Sequence, residues 1–124
     1  MKFRQARHTN HLEPIINFYV GLFDLEVLGE FKDHKGYDGV FIGLPNKDWH
    51  LEFTVSWEQP LHRPDEDDLL VFYPETLEEY DLILKRMSLL NIKASRPKNP
   101  YWRQYDTMVV DPDGFGVIFV RPKA

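Results

Sequence analysis

A chain of 124 residues with 43% hydrophobic and 15% aromatic content carries enough large side chains for one folded domain, and no second independent domain is expected. Its formal charge of -5 argues against a phosphate backbone as the main partner, since such binding draws on clustered Lys and Arg, so no nucleic-acid partner is expected. With no cysteine, disulfides, thiolate ligands and cysteine nucleophiles drop out. Apolar runs far short of the roughly 20 residues of a membrane helix, and an opening Met-Lys-Phe-Arg-Gln unlike a signal segment, lead to the expectation of a cytoplasmic protein with no membrane partner.

Residues 3 to 9 read as a first strand. Asn10 followed by Glu13 has the spacing of a capping box and predicts that a helix starts there. Leu12, Ile15, Ile16, Tyr19, Leu22 and Phe23 then fall on one helical face, with Pro14 tolerated in the first turn. After Asp24 the period shortens: Leu25, Val27, Gly29 and Phe31 alternate as in a strand, and Gly36-Tyr37-Asp38-Gly39 reads as the turn into Val40-Phe41-Ile42. From His50 to Ser56, Leu51, Phe53 and Val55 alternate with His50, Glu52 and Thr54, the pattern of a half-buried strand. Residues 1–56 thus read as a strand, a helix and three strands, and residues 57–67, with Trp57 and two prolines, as a connector.

The same order restarts in residues 68–124. Leu69 to Tyr73 is a strand, Thr76 and Glu79 form a second capping box, and Leu77, Tyr80, Leu84 and Met87 mark a helix that ends near Asn91. Ile92 to Ala94, Thr107 to Val110 and Phe115 to Val120 supply three more strands. Between the last two, Pro112 presets φ at the second turn position and Gly114 accepts a positive φ, so Asp111-Pro112-Asp113-Gly114 closes a hairpin.

This doubled strand-helix-strand-strand-strand order resembles the vicinal oxygen chelate superfamily, which includes glyoxalase I, fosfomycin-modifying enzymes, extradiol dioxygenases and bleomycin-binding proteins. The residues that carry the resemblance are Asn17-Phe18-Tyr19-Val20-Gly21-Leu22-Phe23-Asp24-Leu25, His50-Leu51-Glu52-Phe53 and Asp111-Pro112-Asp113-Gly114-Phe115. Gly36-Tyr37-Asp38-Gly39-Val40 and Asn99-Pro100-Tyr101-Trp102 are similar to a small glyoxalase-like branch of it. The resemblance implies an α+β fold of two βαβββ modules forming a curved mixed sheet with a concave pocket, and a homodimer.

In metal-using relatives the ligands stand near the start of the first strand, on the fourth, on the fifth and on the last. The matching positions here are Arg4, Glu52, Asp68 and Ile118. A guanidinium has only donors and an isoleucine has no lone pair. The resemblance therefore implies a pocket without a cofactor, in which Arg4 replaces the cation and pairs with Glu52 and Asp68, its planar fork suiting a carboxylate. The alternative is a shifted divalent-metal site on His8, His50 and Glu52, of which the last two point the same way along one strand. His50, Tyr101 and Trp102 join the candidate ligand contacts, the two aromatics because a large ring in a Pro-containing loop needs a reason to be there. Tyr37, Trp49 and Tyr105 are placed around the cavity, whereas Phe41 and Phe72 are read as core.

The basic segment Lys93, Arg96, Lys98 and Arg103 reads as a solvated loop and Asp65-Glu66-Asp67-Asp68 as a wet linker. No catalytic residue is assigned, since neither a Gly-x-Ser-x-Gly turn nor a glycine-rich phosphate loop occurs. The expected function is binding of a small-molecule ligand, with bleomycin-resistance-like sequestration as one form. The alternatives are a metal-dependent lyase, thiol transferase or dioxygenase, and a non-catalytic structural or regulatory dimer.

Overall fold

The computed structural model describes residues 1–123, which divide into two compact units with the boundary after Leu61. In the first unit the elements are β1 (Phe3–His8), α1 (Leu12–Phe23), β2 (Glu26–His34), β3 (Tyr37–Gly43) and β4 (Trp49–Val55). They form one mixed sheet in the order β1-β4-β3-β2, in which β1 runs parallel to β4 and the other pairs are antiparallel. The helical stripe read from the sequence is the core face: Ile15, Tyr19 and Leu22 are buried, as are Val40, Ile42, Leu51 and Phe53. Tyr19 stacks on Phe53 at 5.3 Å between centroids. Each such side chain contributes about 1.5–3 kcal/mol relative to leaving it in water.

In the first unit two local expectations fail for identifiable reasons. The cap of α1 is His11, with no side-chain cap bond, rather than Asn10. Were Asn10 the cap, its carbonyl would take the first intrahelical bond from residue 14, which is a proline and has no N–H. Moving the start one residue on makes Ile15 the first donor. The β2–β3 turn is Lys35-Gly36, both at positive φ, and Tyr37 to Gly39 belong to β3, where Asp38 and Gly39 register with Val55 and Thr54 of β4. Gly39 is needed there because the Phe31 ring lies over it: a Cβ would come within 2.2 Å of the ring's Cζ.

The second unit contains β5 (Leu69–Phe72), α2 (Leu77–Leu89), a single 3-10 turn (Pro100–Trp102), β6 (Asp106–Val110) and β7 (Gly116–Val120), with sheet order β5-β7-β6. Here the Thr76 half of the predicted capping box forms, and its return bond falls one residue before the cap. Thr76 Oγ1 accepts the Glu79 N–H at 3.1 Å, and the Glu79 carboxylate reaches back to the Glu75 N–H at 2.9 Å. Tyr80 carries α2 onto the sheet, with its ring 5.3 Å from Phe119 and its hydroxyl 2.8 Å from Thr107 Oγ1.

Ile92 to Ala94 is not a strand. Asn91 reverses the chain at φ 56, and only Ser95 then pairs, through an isolated antiparallel bridge to Met108. Pro97 follows two residues later, with no N–H to extend a ladder. The closing hairpin forms as its turn residues predict: the Gly114 N–H meets the Asp111 carbonyl at 2.9 Å, with Gly114 at φ 91. The buried Asp111 carboxylate also accepts the N–H groups of Asp113 and Phe115 at 2.9 and 3.0 Å.

Candidate functional site

The first sheet covers one face with α1 and presents another set of side chains on the opposite face. Parallel pairing of β1 with β4 sets Arg4 beside His50 and Ala6 beside Glu52, and the two-residue period turns Arg4, His50 and Glu52 the same way. Phe41, between the buried Val40 and Ile42, points with them and stands opposite Glu52 on β3.

On this face the Arg4 fork is divided between two acceptors. Its Nε–H donates to His50 Nε2 at 2.8 Å and its Nη1 to Glu52 Oε1 at 3.1 Å. A guanidinium can only donate, so His50 accepts at Nε2 and its neutral ring carries the proton on Nδ1. Beneath the guanidinium lies Phe41, 4.8 Å from Cζ to the ring centroid, and Phe41 in turn meets His50 edge-on at 5.7 Å and Phe31 at 5.8 Å. The Glu52 side chain is 14% exposed and that of Arg4 49%, so the carboxylate is covered while the cation faces outward. Two of the five guanidinium N–H groups are engaged, which leaves three to a ligand or to water.

The other expected site residues are distributed differently. His8 is on the same face of β1, but its Nε2 is 3.0 Å from Ser56 Oγ and its ring meets Tyr37 edge-on at 6.3 Å. Asp68 belongs to the second unit, where its carboxylate accepts the Asp65 N–H at 3.1 Å, so the ion pair that Arg4 makes is with Glu52. Tyr101 and Trp102, 4.9 Å apart and edge-to-face, border a cavity of about 570 Å³ in the second unit together with Tyr73, Tyr105, Asp106 and Arg121. Their loop is tied by Arg103, which donates to the carbonyls of Pro97 at 2.8 Å and Lys98 at 2.9 Å. Arg103 is thus a loop clamp as well as an exposed charge. Burial pushes the Asp106 carboxyl above its ordinary 3.8, and the Arg121 backbone N–H partly offsets this.

Phe41 is a correction to its assignment as core, and Phe31, which packs against it, belongs to the same face although the sequence reading did not single it out. The signal for Phe41 was its place between two residues of the buried set, since neighbours on a strand face opposite ways.

Residues 3–54 match the YycE-like N-terminal domain, and residues 67–121 match the YycE-like C-terminal domain. Protein YycE of Bacillus subtilis (strain 168), described as uncharacterised, is 38% identical over 123 residues, 98% of this chain and 88% of that protein. The chain belongs to the YycE-like family. A crystal structure of a YycE protein of unknown function from Bacillus subtilis superposes with a TM-score of 0.85 at 38% identity, over 99% of this chain and 90% of that one. The fold is shared with structures of glyoxalase and fosfomycin-resistance proteins. Leishmania major glyoxalase I matches with a TM-score of 0.72 at 20% identity over 95% of this chain and 84% of that one. The fosfomycin resistance protein FosX of Listeria monocytogenes, in complex with Mn(II), matches with 0.73 at 13% over 97% and 90%.

The superfamily's metal does not fit the donor set of this YycE-like chain. Arg4 and Ile118 offer no lone pair, the accepting nitrogen of His50 is taken by Arg4, and Ile118 is wholly buried. Among the described residues no three His, Asp or Glu side chains converge in a way that could hold an ion, so His8, His50 and Glu52 do not form a coordination site here. No described helix is long and apolar enough to cross a membrane.

Proposed function

We propose that the chain binds a small organic molecule on the helix-free face of its first sheet, with Arg4 as the cationic contact where metal-using relatives carry an ion, and that it does so as a homodimer. The observation that carries this reading is the divided fork of Arg4. Glu52 and His50 hold the guanidinium in a fixed plane over Phe41, so its outward N–H groups are preorganised for an acceptor on the ligand while the aromatic floor receives an apolar part. Sequestration of a compound, rather than its turnover, needs only this. Proteins similar in fold include ones named for glyoxalase, bleomycin resistance and fosfomycin resistance, which is consistent with a small organic ligand.

The test is thermal unfolding against a panel of thiols, small electrophiles, organic acids and cationic aromatics, run in chelator. A ligand present at 100 times its Kd stabilises the folded state by about 2.7 kcal/mol, which is readily measured. At least one compound that raises the midpoint of the parent chain is expected to lose that effect in Arg4→Gln. Shifts that require added Zn, Mn or Ni, or a panel in which no hit depends on Arg4, would overturn the reading. Sedimentation of the free protein as a monomer at micromolar concentration would remove the homodimer from it.

A further inference from the structure

The cavity of the second unit shares no residue with the Arg4 face and has a different chemistry. At about 570 Å³ it is of the size that holds a small organic molecule. Four of its lining side chains are aromatic, and three of these are tyrosines that keep much of their surface in water: Tyr73 at 68%, Tyr101 at 77% and Tyr105 at 58%. Exposed rings gathered around one hollow form a surface that a second flat ring covers well. The loop that carries Tyr101, Trp102 and Tyr105 is also tied. Asn99 caps the 3-10 turn through the Tyr101 N–H at 3.0 Å, Arg103 clamps the loop, and Gln104 donates to the Tyr105 hydroxyl at 3.1 Å.

Charge decides which flat molecules suit it. The lining holds one carboxylate, Asp106, and two cations, Arg121 and Lys123. Asp106 is already served from within the protein, by the backbone N–H of Arg121. The Arg121 guanidinium, by contrast, makes no ion pair among the described residues and is exposed. A cation stacked on the rings would meet two like charges for one unlike. For an acidic group the same lining supplies a planar fork and an ammonium, with Trp102 among the rings beside them.

We propose that this cavity is a binding site for a planar aromatic acid, with Trp102 and the tyrosines taking the ring and Arg121 and Lys123 the acidic group. The site does not depend on the Arg4 face, and either can fail alone.

Calorimetric titration of the full chain with 2-naphthoate, 2-naphthalenemethanol and 2-naphthylmethylammonium tests it. The acid is expected to bind tightest and the ammonium weakest. Arg121→Gln should weaken naphthoate several-fold and leave the neutral alcohol unchanged, while Lys85→Gln, which removes an exposed cation from α2, should alter neither. Trp102→Ala should weaken acid and alcohol together by tenfold or more, on the scale of ring stacking. Because Trp102→Ala could disturb the loop, its unfolding midpoint is compared with that of the parent, and the exposed Arg121→Gln carries the decision if the two differ. Absence of naphthoate binding, an ammonium that binds as well as the acid, or naphthoate affinity unchanged in Arg121→Gln would each overturn the proposal.

Discussion

Burial moves the titration of Asp106, and the direction fixes a prediction. Burial disfavours its charged form, so the folded chain holds the proton more tightly than the unfolded chain does. Below pH 3.8 the carboxyl is protonated in both states and carries no penalty. As pH rises through the elevated folded value, the unfolded state ionises more readily and stability is lost. Asp106→Asn should therefore unfold at higher denaturant concentration than the parent at pH 7, by a few tenths molar of urea at most, with the gain shrinking as the pH is lowered toward 3.8. Urea titrations at pH 7 and pH 4 check this, and an equal gain at both would refute it. At this same scale strand period set His50 and Glu52 on one side of β4 and the family resemblance set Arg4 beside Glu52, while the contact of Arg4 with His50 follows from the parallel pairing of β1 with β4, which no local pattern announces. It did not disclose the partner of Asp68, since a carboxylate in a tight acidic turn finds a backbone N–H three residues away before any distant cation.

Among the elements, the two helices make a natural comparison, since both carry the residue pattern of a capping box and only α2 uses it. Thr76→Ala removes an acceptor from the Glu79 N–H and should cost about 1 kcal/mol, whereas Asn10→Ala should cost well under half of that because Asn10 is outside the helix. Chemical denaturation of the two variants measures the difference, and equal losses would mean that Asn10 caps α1 after all. The proline that displaces the cap was visible in the sequence from the start. What hid its effect is that tolerance of proline in a first turn says nothing of which carbonyl goes without a donor. The segment Ile92 to Ala94 was misread for a related reason: its apolar content suits a strand, but extended pairing needs successive N–H groups in register with a neighbour, and the chain leaves β6 after a single bridge.

Over the whole molecule, the doubled order seen in the sequence survives as a doubled topology. Each unit pairs its first strand in parallel with its last and its last in antiparallel with the one before, and Ser95 bridges β6 where β2 pairs with β3 in the first unit. Turn chemistry and periodicity were enough to recover that repeat. The two copies differ in what they present: a polar cluster over Phe41 in one, an aromatic hollow in the other, and a complete ion-coordinating set in neither among the described residues. This divergence has a consequence for the intact protein that a single measurement reads. A fold stabilised by a resident ion loses that stabilisation when the ion is removed, by about 2.7 kcal/mol at 100 times Kd and about 4.1 at 1,000. With Arg4 at the first of the superfamily's ligand positions and a wholly buried Ile118 at the last, unfolding midpoints in excess chelator and in excess Zn, Mn or Ni should agree within about 1 °C, since a shift near 1 kcal/mol would move them by several degrees in a chain of this size. A midpoint that falls in chelator, or stoichiometric metal in the purified protein, would bring metal chemistry to this YycE-like chain and leave Arg4 without the role assigned to it.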